Sequence, residues 1–127
     1  MAASTLDASA LLAMLLGEPG GDRVEARLEG GIISTVNWSE VIQKAQDLGS
    51  STAGLADELA GAGLTIVPFE LAEAELAGSL WARTHHLGLS LGDRACLATA
   101  LLRSGDVMTA DRTWSKLTLD IEVEVIR

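Results

Sequence analysis

Apolar and polar positions in this 127-residue chain change period several times, and each change marks an element. Short apolar runs bounded by turn residues predict strands at residues 3–6, 31–35, 64–69 and 106–109. The last run, residues 121–126, reads IEVEVI and alternates strictly, which predicts a half-exposed edge strand. Helical spacing predicts helices over 8–16, 23–28, 38–48, 51–60, 72–84 and 93–103. Gly20-Gly21 and Gly30-Gly31 read as turns inside one unit. No repeat, linker or low-complexity stretch interrupts the chain, so 1–127 is expected to form a single domain. Strands alternating with helices predict an α/β fold: a mostly parallel, roughly five-stranded central sheet. Right-handed crossovers then place helices on both faces, in three αβα layers.

That arrangement gives meaning to four acids. In open α/β sheets, ligands bind beyond the carboxyl ends of the strands. Asp7 ends the first predicted strand and opens the first helix. Asp111 follows the fourth strand and precedes a short helical turn, so both belong to one edge of the sheet. Glu40 lies in the first predicted turn of the helix after the second strand. Asp93 sits four residues before Leu97, at the head of the core-facing stripe Leu97, Ala100, Leu101. Singly, each acid has an ordinary explanation. Asp7 and Asp111 suit helix N-caps, and Asn37-x-x-Glu40 and Ser90-x-x-Asp93 both read as capping boxes. Jointly, four carboxylates on one edge would repel and resist ionisation unless a cation sat among them. An all-carboxylate set suits Mg²⁺ or Mn²⁺.

Composition narrows the setting. The chain is 48% hydrophobic, which excludes disorder, and only 3% aromatic, which favours small-residue packing of helices on a sheet. The lone Cys96 lies in an apolar helical pattern and is expected to be a buried small hydrophobe. The N-terminal stretch has no basic segment ahead of its apolar run, and residues 8–16 are too short to span a membrane, so a cytoplasmic protein without membrane attachment is expected. The net charge of −9 argues superficially against a nucleic-acid partner. Yet residues 1–80 hold three basic and twelve acidic side chains, while residues 81–119 hold five basic and three acidic. A local basic surface on an acidic protein is consistent with that split, and so are ordinary solvated faces.

Other chemistries lack their motifs. His85-His86 have no Cys or His partners at zinc spacing. Neither a G-x-G-x-x-G nor a G-x-x-x-x-G-K-[ST] loop is present, and no G-x-S-x-G elbow. Trp38, Trp81 and Trp114 read as core or interface residues before base-stacking platforms.

The four acid-bearing segments together resemble the motifs of PIN-domain proteins. TLDASALLAML, with Asp7 and Ser9, is similar to the first motif, and IISTVNWSEV, with Glu40, to the second. LGLSLGDRACLATA, with Asp93, resembles the third and is the most specific. VMTADRTW, with Thr109 and Asp111, resembles the fourth. Order and spacing match across almost the whole chain, and its compact size looks most like VapC-type toxins of bacterial toxin–antitoxin modules. The resemblance implies a PIN-like fold with the first strand central. It implies a Mg²⁺- or Mn²⁺-dependent endoribonuclease that cuts single-stranded or loop RNA, leaving a 5′-phosphate and a 3′-hydroxyl. It also implies a small VapB-like antitoxin partner and a homodimer. Many relatives carry a further acid two residues beyond the fourth, where this chain has Thr113, which puts a second tightly held ion in question.

On this reading Asp7, Glu40, Asp93 and Asp111 form the catalytic and metal-holding set, with Asp7 and Asp93 the first choices for direct ligands. Glu40 orients or deprotonates water. Ser9 and Thr109 hydrogen-bond the carboxylates or a phosphate. Arg112 contacts RNA phosphate or forms a surface ion pair. The competing reading is a catalytically inactive PIN-like module that binds RNA or protein. A receiver-like phosphoacceptor domain would want a lysine at a late strand end, and the late strands supply none.

Overall fold

A computed structural model describes residues 3–127. Five strands form one sheet: β1 (Thr5–Leu6), β2 (Ile32–Ser34), β3 (Thr65–Val67), β4 (Asp106–Thr109) and β5 (Glu122–Val125). The order is β3-β2-β1-β4-β5, and every pairing is parallel. The sheet is thus wholly parallel, with the first strand central, and IEVEVI supplies the edge strand. β4 spans the expected residues 106–109, and the other four strands are shorter than their apolar runs, as at Thr35, which begins the next helix.

Seven helices connect the strands: α1 (Ala8–Leu15), α2 (Gly21–Glu25), α3 (Thr35–Asp47), α4 (Leu55–Gly61), α5 (Leu71–Ser79), α6 (Trp81–Thr84) and α7 (Leu91–Arg103). Two 3-10 turns, His85–Leu87 and Arg112–Lys116, complete the described elements. Several boundaries differ from the sequence expectation for identifiable reasons. The helix expected over 38–48 starts at Thr35, because the Ser34 hydroxyl caps it by accepting from the Val36 N–H. Asn37 therefore lies inside α3, and the Asn37/Glu40 capping box does not form. The helix expected over 51–60 cannot begin before Gly54, whose φ of +72° is left-handed. The helix expected over 72–84 divides at Leu80. Gly78 is a poor helix former, and the Ser79 hydroxyl donates back to the Leu76 carbonyl at 2.9 Å, a bond that bends helices.

Alternation along the strands divides the core in two. Leu6, Ile33 and Met108 join Ala10, Leu11, Val24 and Val41 on one face. Val107 points the other way, to Cys96, Leu97, Ala100, Leu80 and Trp114. The helices thus form layers on both sides of the sheet. α7 is buried on every side from Ala95 to Ala100, with the Thr99 hydroxyl donating back to the Ala95 carbonyl, because it packs on the sheet and against α3 and α5. At the exposed edge, Arg23 and Arg27 of the α2 region reach Glu124 at 2.8 and 3.4 Å, and Arg27 reaches Asp106 at 3.1 Å. These ion pairs blunt an edge that would otherwise invite another strand. Among the described residues no helix is long and apolar enough to cross a membrane.

Candidate active site

β1 and β4 are neighbours in register, Leu6 opposite Met108. The next residue on each strand is therefore Asp7 and Thr109, side by side at the carboxyl end of the sheet. Asp7 is extended and caps α1, its Oδ1 accepting from the Ala10 N–H at 2.8 Å and the Ser9 hydroxyl at 2.7 Å. Its Oδ2 accepts from the Thr109 hydroxyl. Ser9 and Thr109 are themselves held: the Ala110 N–H donates to the Ser9 Oγ at 2.9 Å, and the Asp111 N–H donates to the Thr109 Oγ1 at 3.0 Å. Asp7 is 5% exposed. Burial pushes its carboxyl up to about 6; the three hydrogen bonds pull it back, and the neighbouring charge of Asp93 adds to the rise.

Asp93 sits in the first turn of α7. Its Oδ2 accepts from the Ser90 N–H at 2.9 Å while the Ser90 hydroxyl accepts from the Asp93 N–H, a reciprocal capping box. Capping and membership of the acid cluster are thus compatible. Glu40 comes from α3, and a contact spanning 55 residues places it. The Asn37 Nδ2 donates to Glu40 Oε1 at 2.8 Å and to the Gly92 carbonyl at 2.9 Å. That carbonyl belongs to the residue before Asp93. A Cβ on Gly92 would lie 2.5 Å from Glu40 Oε2, so a larger residue there would have to displace that carboxylate.

The charges of Asp7, Asp93 and Glu40 all act on the buried Cys96. Burial raises its thiol, and each of those three carboxylates raises it further. Asp111 is not in that inner group. It lies exposed, caps the turn Arg112–Lys116 through the Thr113 N–H at 2.9 Å, and connects to Asp7 through the Thr109 hydroxyl. Arg112 donates its Nε to the Arg127 carbonyl at 3.1 Å and forms no ion pair among the described residues. A groove between α1 and α3, lined by Ser9, Leu12, Glu40, Gln43 and Lys44, opens beside the acids.

Among the described residues, none of the four acids has an arginine or lysine at ion-pair distance, although five ion pairs form elsewhere. Nor do three of their carboxylates, with or without His or Cys, close into a finished ion-binding cluster. Asn37 was legible only as a cap. It is 1% exposed, positions Glu40, and leaves its Oδ1 buried without a partner. Its spacing from Glu40, three residues on one helix face, was the available signal.

Open parallel α/β sheets bind their ligands beyond the carboxyl ends of the strands, the edge at which Asp7 and Thr109 lie side by side. Residues 5–118 match the model of the PIN domain, and the chain belongs to that family. A toxin–antitoxin complex from Klebsiella pneumoniae contains a similar structure, with a TM-score of 0.69 and 21% identity over 94% of this chain and 99% of that one. DNA-bound VapBC from Salmonella typhimurium is similar at TM-score 0.67 and 17% identity, covering 98% of each chain. VapBC2 from Rickettsia felis, bound to a promoter DNA fragment, is similar at 0.66 and 14%, covering 95% of this chain and 96% of that one. No curated protein matches the chain.

Proposed function

We propose that this protein is a metal-dependent endoribonuclease, a toxin of the VapC type that a VapB-like antitoxin neutralises. The carrying observation is that Asn37 ties Glu40 to the backbone next to Asp93, that the Asp93 charge acts on the buried Asp7, and that among the described residues none of the three has a basic partner. PIN-family membership and the likeness of fold to chains from VapBC complexes support the same reading. Both cores share one sheet, which supports reading 1–127 as one PIN-like domain. We also propose a homodimer and a cytoplasmic setting.

The donor set fits Mg²⁺ or Mn²⁺. It consists of carboxylate oxygens, with the unpartnered Asn37 Oδ1 close by, and hard divalent cations take oxygen ligands. A carboxyl held at about 6 by burial gains most from a nearby cation. Asp7 and Asp93 would hold the ion, with Glu40 and Asp111 contributing. When bound, it supplies Lewis-acid polarisation of the phosphate and activation of water.

The remaining work falls to this chain's own groups. Ser9 and Thr109 fix both oxygens of Asp7. Asn37 ties down Glu40 Oε1, so Oε2 takes the proton of the attacking water. Attack at phosphorus breaks the bond to the 3′ oxygen, which takes a proton from solvent and leaves as a 3′-hydroxyl, while the other product keeps the 5′-phosphate. Incubation with a structured RNA, with Mg²⁺ or Mn²⁺ and with EDTA, tests the proposal. Metal-dependent cleavage that disappears in Asp93→Asn is expected. RNA binding without cleavage under any metal would instead make this a binding-only PIN module.

A further inference from the structure

Two of the three tryptophans are packed, Trp114 in the second core and Trp38 against the first. Trp81 is 54% exposed. His85 lies flat on it, with ring centroids 4.1 Å apart and planes 10° from parallel. The His85 Nδ1 lies 3.0 Å from the Trp81 carbonyl oxygen, which fixes the imidazole in place. His86 meets His85 edge-on at 6.3 Å. Both stacked residues are exposed, so a pre-ordered aromatic surface faces solvent, whereas Trp38, Phe69 and Trp114 pack in or against the two cores.

The surrounding charge is unusual for this molecule. Arg23, Arg27, Arg103 and Arg127 are all held in ion pairs. Among the described residues, Lys44, Arg83, Arg94, Arg112 and Lys116 are in none, and Arg83, Arg112 and Lys116 are the exposed ones on the segments around the stack. The Arg83 Nη2 donates to the Thr118 carbonyl at 2.7 Å, tying α6 to the segment after the Arg112–Lys116 turn. The His85–Leu87 turn packs on that same turn. One of these turns follows Asp111 directly, and the other leads through Ser90 into the first turn of α7, where Asp93 sits. A protein of net charge −9 repels polyanions in general, so cations left unpaired beside its acid site favour a polyanion there.

We propose that the Trp81–His85 stack is a platform on which a base of single-stranded RNA sits, next to the carboxylate site, with Arg83, Arg112 and Lys116 meeting the flanking phosphates. The ribonuclease reading above supplies the identity of the polyanion. A stacking surface beside cations that have no carboxylate partner is the general means of gripping single strands without reading their sequence.

The test measures binding of fluorescent single-stranded oligoadenylate in EDTA, so that no cleavage intervenes. Trp81→Ala should weaken binding roughly 5- to 100-fold, the loss expected of one stacked base. Trp81→Phe should keep most of the affinity. An abasic ribose-phosphate oligomer should bind wild type and Trp81→Ala equally. Unchanged oligoadenylate binding in Trp81→Ala, or an equal loss on the abasic oligomer, overturns the platform. A loss that coincides with dissociation of an oligomer in light scattering also overturns it, by assigning Trp81 to a protein contact. If Trp81→Ala does not fold, His85→Ala removes the other ring and serves the same comparison. Cleavage with Mg²⁺ or Mn²⁺ is scored separately. Stacking-dependent binding without cleavage removes the ribonuclease reading and keeps the platform, whereas cleavage with Trp81-independent binding does the reverse.

Discussion

The hydroxyl of Thr109 donates to Oδ2 of Asp7 across the β1–β4 junction, and the same hydroxyl accepts the N–H of Asp111. One buried oxygen thus links the innermost acid of the site to the outermost, and fixes the carboxylate most strongly affected by burial.

Thr109→Val removes that oxygen at almost constant shape and leaves the Asp7 Oδ2 and the Asp111 N–H without this partner. Thr109 is fully buried, so urea denaturation should register a loss of about 1–3 kcal/mol. RNA cleavage should fall as well, and Thr109→Ser should recover most of both. Wild-type stability in the valine variant would remove Thr109 from the positioning of Asp7.

Stability in EDTA should fall as pH rises from about 4 to about 6. The folded Asp7 keeps its proton up to about 6, while the unfolded chain releases it near 3.8, so the unfolded state binds fewer protons across that window. The accumulated penalty at pH 7 is on the order of 3 kcal/mol. Asp7→Asn should flatten the profile and raise stability at neutral pH while abolishing cleavage. A wild-type profile that rises between pH 4 and 6 would contradict the burial of an unpaired carboxylate.

Mg²⁺ or Mn²⁺ should raise the melting temperature by relieving the same repulsion. At a hundredfold excess over its dissociation constant, an ion binding only the folded state adds about 2.7 kcal/mol. The shift should shrink sharply in Asp93→Asn. A melting curve indifferent to both ions would count against an ion site.

Gly92→Ala separates positioning from stability. Alanine is favoured over glycine inside a helix by about 1 kcal/mol, so propensity alone predicts a more stable α7. The added Cβ, however, would fall 2.5 Å from Glu40 Oε2 and displace it. Cleavage should therefore drop at least about tenfold, a change of about 1.4 kcal/mol in barrier, in a protein that melts no lower. Full activity in this variant would show that Glu40 has no fixed role.

Local pattern carried the fold a long way. Strand ends and helix starts are local properties, so Asp7 and Asp111 were assignable to one edge, and the Leu97 stripe turned Asp93 inward. What local pattern did not carry was long-range. Glu40 is placed by an Asn37–Gly92 contact across 55 residues, invisible to any window of sequence. Asn37 itself read as a cap because Ser34, three residues earlier, competes for that role and wins. The division of the long helix at Leu80 depended on one hydroxyl turning back to a carbonyl. Arg112 reads as a phosphate contact or a surface ion pair; among the described residues it forms no ion pair, and its Nε donates to the Arg127 carbonyl beyond β5.

The central strand is the first one made, yet its partner on one side comes late: Thr5 pairs with Val107. A nascent chain therefore holds Asp7 long before Thr109 exists to receive it, and the contact that orders the site spans 102 residues. Such distant closure is slow relative to local helix formation. Translation that stops short of β4 yields a polypeptide with three of the four acids and no pocket to hold them. If the proposed function holds, the cleaving form therefore arises only after β4 has been made.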